Sequence, residues 1–392
     1  MNKNSGSVLE VFIVALRLGL TSFGGPIAHL GYFHEEYVRR RKWLSEQNYA
    51  DLVALAQFLP GPASSQVGIG IGMSRAGILG GFFSFLGFTL PSVIALILFA
   101  FFLQSADVGD AGWLNGLKLV AVAVVAHAII GMGKKLAPDK ERATIAIAAM
   151  IILLLWEAMY SQVLIILAAG VLGLYLYKKH SVEEAVSPMS VPVRKQTGAI
   201  CLSVFLGLLL LLPLARQVVT LESLEIFDSF YRAGALVFGG GHVVLPLLEQ
   251  EIVGQGWVDA EQFLAGYGAA QAVPGPLFTF ASYLGAVSGG LGMALVASAA
   301  IFLPAFLLII GSLPFWNDLR TNPRIQAALF GVNAAVVGIL AAAFYDPIFT
   351  SAVTSAVDFA AAAALFGLLS YWKRPAWEVV IVGILAGLVL GL

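Results

Sequence analysis

The sequence predicts an all-α polytopic membrane protein made of two inverted-topology repeats, with broken, re-entrant helices and one extra transmembrane helix joining the halves. Three observations carry this expectation. Of 392 residues, 59% are hydrophobic and only 11% charged, about half the charged share of a soluble domain. The stretch Gln57-Phe58-Leu59-Pro60-Gly61-Pro62 returns as Gln271-Ala272-Val273-Pro274-Gly275-Pro276, both times in apolar surroundings. Loops that correspond across this duplication change their charge from one copy to the other.

Composition also sets limits. A formal net charge of −1 leaves no electrostatic footprint for nucleic acid, and in such a chain the position of each charge matters more than the sum. The single cysteine, Cys201, can form neither an intrachain disulfide nor a cysteine metal site. No metal and no cofactor are expected. Glu10 and Arg17 interrupt the first apolar run and no cleavage pattern follows, so this segment is expected to stay in the mature protein.

Taken in order, Val8 to Phe23 is a first apolar helix, stopped by Gly24-Gly25-Pro26. Ile27 to Val38 reads as a short amphipathic helix with His29, His34, Glu35 and Glu36, closed by the basic run from Arg39 to Lys42. Ser45 suits an N-cap for Gln47 to Leu59. There Pro60 lacks a donor and biases Leu59 away from helical angles, Gly61 can take angles closed to other residues, and Pro62 suits a first helical position. One helix stops and another starts, running from Pro62 to Met73.

Gly77 to Leu103, with Pro91 inside, is long enough to span, as is Trp113 to Met132. Ala143 to Trp156 and Val163 to Tyr177 form a shorter pair. The polar stretch from Lys178 to Gln196 divides the chain, and Ala199 to Val219 is a span without counterpart. Gly383, Gly387 and Gly391 mark a helix-packing face. The boundaries expected are 1–180 for the N-terminal repeat, 181–222 for linker and extra helix, and 223–392 for the C-terminal repeat.

The repeats align on Arg17 with Arg232, Phe23-Gly24-Gly25 with Phe238-Gly239-Gly240, Glu36 with Glu251, Trp43 with Trp257 and the two Pro-Gly-Pro triplets. Lys and Arg at span ends mark the cytoplasmic side. The basic run Arg39 to Lys42 corresponds to Gly254-Gln255-Gly256, and acidic Asp107 and Asp110 to Arg320 and Arg324. The cluster Lys134 to Arg142 corresponds to Tyr345-Asp346-Pro347, and the uncharged turn after Glu157 to Lys373-Arg374. The copies are therefore expected to lie inverted in the membrane, with hairpins re-entering from the cytoplasmic face in the first and from the outer face in the second. Their tips would meet near the midplane, where inverted-repeat transporters hold substrate.

Chemistry is expected at the four breaks: Gly24, Gly25 and Pro26; Pro60, Gly61 and Pro62; Gly239, Gly240 and Gly241; Pro274, Gly275 and Pro276. Each new helix would begin with amide donors directed into a wet cavity, an arrangement that attracts anions. Gln57, Ala63, Ser64, Ser65, Gln271, Phe278 and Thr279 surround these starts. The spans from Gly77 to Leu103 and Trp113 to Met132 hold no Asp or Glu, which argues against divalent cations.

Arg17 and Arg232 either clasp an oxyanion or snorkel; replacing either by alanine is expected to abolish transport in a protein that still folds. His29 and His242 either donate to the anion, carry a proton or only pack. Glu36 and Glu251, near polar turns, read as solvated faces or as proton-coupling groups, and His127 as a satisfied core histidine. With no nucleophile and base pair, no enzyme is expected.

The motifs Phe23-Gly24-Gly25-Pro26, Arg40-Arg41-Lys42-Trp43-Leu44 and the sextet from Gln57 to Pro62, with their second copies, resemble the chromate ion transporter family in its long, two-domain form. The resemblance implies a multi-pass inner-membrane secondary transporter that exports chromate under the proton motive force and confers chromate resistance. It further implies sulfate as competitor; the lipid bilayer and a homodimeric assembly are the other partners expected. A transporter of sulfate or another small anion, or an uncoupled anion channel, are the alternatives. The copies differ at Gly241 against Pro26 and at Phe278 against Ser64, which implies unequal roles.

Overall fold

The computed structural model describes residues 7–390 apart from 24, 106–111, 157–160, 178–192, 239–240, 317–318 and 320–321. The expectations for Asp107, Asp110, Glu157, Arg320 and the polar stretch 178–192 lie outside the described residues. Helices α1 (Val8–Thr21), α2 (Gly25–Phe33), α3 (Glu46–Phe58), α4 (Ala63–Ser105), α5 (Gly112–Leu136), α6 (Lys140–Leu155) and α7 (Ser161–Leu176) form the first half, and α8 (Lys195–Val218) follows. The second half holds α9 (Glu222–Leu236), α10 (Val244–Leu248), α11 (Ala260–Ala270), α12 (Phe280–Ser312), α13 (Pro323–Ala343), α14 (Ala356–Ser370) and α15 (Ala376–Leu390). Among the described residues there is no strand.

Local rules that place the ends recur in both halves. Ser45 Oγ accepts from the Asn48 amide at the start of α3, and Asp259 does the same for Gln262 at the start of α11. Asp139 caps α6 and also accepts from Arg142 Nε at 2.6 Å; those Arg142 hydrogen bonds hold its carboxyl below the usual carboxylate range. Wide π turns follow α2 (His34–Arg40) and α10 (Glu249–Val253). The chain then turns through left-handed residues, Lys42 at φ 53 and Gly256 at φ 74.

The long helices α4 and α12 each contain a reversal. At Ala76-Gly77 and Gly289-Gly290 the backbone leaves helical angles, with φ of +67 at Gly77 and +74 at Gly290. In α4 the arms fold back on each other. Ser84 Oγ donates to the Gly68 carbonyl at 2.8 Å, and a Cβ at Gly72 would strike the Gly80 backbone. The glycines of this arm thus serve close approach of two helices.

Among the described residues, five helical stretches are long and apolar enough to cross a membrane: Ala63–Ser105, Gly112–Leu136, Lys195–Val218, Leu277–Phe315 and Pro323–Ala352. The helices that lead into the breaks are shorter, with 14 residues in α1, 13 in α3, 15 in α9 and 11 in α11. At 1.5 Å per residue they reach about 17 to 23 Å, short of the roughly 30 Å of a hydrocarbon core. Glu10, at the start of α1, lies 3.2 Å from Arg75 and 3.5 Å from Arg41, and both guanidiniums stand over Trp43. The start of α1, the turn after α2 and the bend of α4 therefore share one end of the molecule.

The halves are interleaved. Helix α5 packs on α14 and α15, and its counterpart α13 packs on α6 and α7. Small residues let these backbones touch: Gly116 against Gly383, Gly112 against Gly387, Gly331 against Ala169 and Gly338 against Ala146. The glycine face expected at Gly383 and Gly387 is thus the seat of α5, while Gly391 lies outside the described residues.

Candidate functional site

Leu59 takes extended angles, as a residue before proline should, and Gly61 and Gly275 sit at φ +106 and +103. What these turns do is reciprocal. The Gly61 amide donates to the carbonyl of Val237 at 2.7 Å, and the Gly275 amide donates to that of Ser22 at 3.0 Å. Ser22 and Val237 are equivalent residues just ahead of the two glycine breaks. Each Pro-Gly-Pro tip is therefore bound to the break of the other half, and its glycine amide is not available to an anion as expected from the sequence. Ser92 Oγ adds a bond to the Pro274 carbonyl; beside Gly61 the corresponding place is filled by the Ala305 methyl.

The side chains around the two tips differ. At the first, buried His29 has Nδ1 3.3 Å from Ser64 Oγ. Ser22 Oγ, Ser65 Oγ and Thr89 Oγ1 are buried without a hydrogen-bond partner among the described residues, and Gln66 Nε2 donates to the Pro60 carbonyl at 2.8 Å. At the second, Phe278, Phe280 and Phe302 fill the corresponding space. Thr279 turns its hydroxyl back to the Pro276 carbonyl at 2.7 Å. Pro62 is buried, Pro60 and Ala63 are half-buried, and Gln57 is exposed. Gly24, Gly239 and Gly240 lie outside the described residues; Gly241 opens a short 3-10 turn that carries His242.

A cavity of about 470 Å³ lies between the first break and the second tip. Gly25, Pro26, Gln271, Val273 and Gly275 form its floor, α5 contributes Val124 and His127, and the turn between α14 and α15 contributes Lys373 and Arg374. His242 faces the same space, with Nδ1 2.6 Å from Tyr267 Oη. His127 has Nδ1 2.9 Å from Ser370 Oγ. It is exposed toward the cavity, so the expectation of a satisfied core histidine fails. No carboxylate is among the described residues lining this space, and Lys373 and Arg374 are exposed at its rim. Two cations at the rim, of which Arg374 is paired with Glu378 at 3.7 Å, together with two imidazoles and an amide, give the space a donor-rich lining that suits an anion.

The arginines and glutamates lie elsewhere. Arg232 is buried and held by Glu251, with Nη2 to Oε2 at 2.7 Å, and by Asp228 at 3.1 Å; Arg216 reaches the same Asp228 at 3.0 Å. Arg17 is exposed. Glu36 is buried and clasped by Arg40 at 2.8 Å and Arg41 at 2.7 Å. Neither glutamate is a solvated face.

Comparison with known proteins bears on what this architecture is for. The family model described as "Chromate transporter" matches residues 9–174 and again 224–392. The chain belongs to the chromate transporter family. A chromate transport protein of Pseudomonas aeruginosa is 30% identical over 97% of this chain and 91% of its own length. A probable chromate transport protein of Synechococcus elongatus is 32% identical over 84% of this chain and 81% of its own. An uncharacterized transporter of Methanocaldococcus jannaschii is 26% identical, covering 87% and 84%. No solved structure matches. In this chromate transporter family member α8 falls between the two matches, where the sequence places the span without counterpart.

Proposed function

We infer that this chain exports chromate across the inner membrane as a secondary transporter working by alternating access. The observation that carries the reading is the cavity between Gly25-Pro26 and Gln271 to Gly275, basic at its rim and without a lining carboxylate. In a member of the chromate transporter family, that is where a tetrahedral dianion would be received. Dehydrating such an ion costs several kcal/mol, and one helix end returns only about 0.3 to 2 kcal/mol, so several donors must converge. Gln271, His127, His242, Lys373 and Arg374 supply them on this side, and Ser64, Ser65 and His29 stand at the other tip.

Basic loops support a side for the cavity's rim. Lys373-Arg374 and the end marked by Arg41 and Arg75 are both rich in Lys and Arg, and both belong on the cytoplasmic side under the positive-inside rule. The second half then lies inverted relative to the first, and the short helices into the breaks are re-entrant. The cavity faces the cytoplasm, as an exporter waiting for its anion requires. Sulfate, with the same charge and shape, competes for it. In this reading the anion leaves chemically unchanged, the inside-negative potential within the proton motive force drives it out, and Arg232 with Glu251 braces the second hairpin.

Inverted membrane vesicles energised by respiration test the reading with radiolabelled chromate. Accumulation that an uncoupler abolishes and sulfate inhibits is the expected result. Energised vesicles that gain no chromate over vesicles lacking the protein would overturn it.

A further inference from the structure

His127 and His242 reach one cavity from opposite halves of the sequence, one from the middle of α5 and the other from the turn that follows the second break. A hydroxyl holds Nδ1 of each ring, Ser370 for His127 and Tyr267 for His242. Nε2 is then the nitrogen each ring has left for a ligand, with its orientation fixed by the bond at Nδ1.

The charge around the pair is one-sided. From α11 it meets the Tyr267 hydroxyl, and from the turn before α15 it meets Lys373 and Arg374. Glu378 on α15 is 3.7 Å from Arg374. Lys134 and Lys135 lie two turns further along α5. Of the carboxylates on neighbouring elements, Glu249 after α10 interacts with Asp346 after α13, and neither lines the cavity. An empty cavity thus offers no anion to balance a proton on either ring. A bound dianion supplies that balance.

We propose that His127 and His242 form a proton-linked anion clamp, in which the oxyanion and one proton shared by the two imidazoles bind together. This rests on the reading of the cavity as the oxyanion site. Protonation turns an imidazole nitrogen from acceptor to donor and adds a positive charge beside the ligand. A second proton is opposed by the first, so the loaded site keeps a net negative charge. By linkage, the anion raises proton affinity by the factor with which the proton raises anion affinity.

Calorimetric titration of the purified full-length protein with sodium chromate tests this between about pH 7 and about pH 9, above the imidazole range, where chromate is chiefly the dianion. Buffers of different ionisation enthalpy report the protons taken up. The expected result is uptake of about one proton per chromate, and affinity that weakens toward about tenfold per pH unit as pH rises. The variant H127Q/H242Q should bind more weakly and lose the slope. Tyr267→Phe, which keeps the aromatic ring at that position and frees His242 Nδ1, should change the slope while the protein stays folded. Wild-type binding with no proton uptake, or an unchanged slope in the double variant, would overturn the clamp alone. Absence of chromate binding by the wild type at every pH would overturn the cavity reading and the clamp with it.

Discussion

The substitution Gly275→Ala separates the two Pro-Gly-Pro tips by a cost that can be worked from their surroundings. At φ +103 an alanine is strained wherever it is placed, at about 1 to 3 kcal/mol. Its Cβ would also land on Ser92 Oγ, so Ser92 must rotate away from the Pro274 carbonyl it now serves. A half-buried carbonyl left without its donor costs up to a further 1 to 3 kcal/mol or so. At Gly61, with φ +106, the nearest atom is the end of the flexible Gln66 side chain at 3.2 Å, and only the backbone strain applies. Gly275→Ala should therefore destabilise by roughly 2 to 6 kcal/mol, and Gly61→Ala by the first 1 to 3 alone. Thermal unfolding in detergent measures both. The double variant Gly275→Ala/Ser92→Ala should recover part of the steric loss, as a double-mutant cycle would show. Equal damage at the two tips, or no coupling between positions 275 and 92, would refute the assignment of these contacts.

Two further outcomes follow from the charges. Arg232→Met takes the only cation paired, among the described residues, with the largely covered Glu251, which keeps hydrogen bonds from Ser229 and Gln255, and one of two from buried Asp228. It should lower stability by about 2 to 4 kcal/mol, whereas Arg17→Met, at an exposed position, should change it by less than about 0.5 kcal/mol; the order of the two melting temperatures decides, and an Arg232→Met protein as stable as the wild type would contradict the pairing. In a Cys201→Ser background, a single cysteine at Lys42 should react with an impermeant reagent added to inverted vesicles while one at Gln255 should react only from the other side; equal reaction from one side would rule out the inverted arrangement.

Much of this was legible because certain residues permit few conformations. Proline after an apolar run ends a helix, glycine after it accepts φ +106 or +103, and Ser45 fits the start of α3, so breaks and caps could be read directly. The crossed seating of α5 and α13 could not, because glycine and alanine interfaces carry no partner information in sequence. Arg17 and Arg232 looked equivalent, yet Asp228 stands four residues before Arg232 and Ile13 before Arg17. That i, i+4 spacing was a signal of internal pairing. His127 gave no such signal. A lone histidine in an apolar span has the same sequence context whether it is packed or faces a cavity, and Lys373 and Arg374, far along the chain, complete the wall it belongs to.

The duplicated backbone and its diverged side chains have separate physical causes. Each tip lends its glycine amide to the opposite break, so the loss of either turn would leave buried polar groups unpaired in both halves. That mutual bond holds both Pro-Gly-Pro triplets in place whatever the neighbouring side chains are. Those side chains are free of the constraint. Phe278, Phe280 and Phe302 are buried where Ser64, Gln66 and Thr89 bury polar atoms on the other side, so the same fold presents one polar helix start and one apolar one. Reversing the asymmetry, with Ser64 made apolar and Phe278 made polar, would spare the crossing hydrogen bonds and change only what the tips offer a ligand.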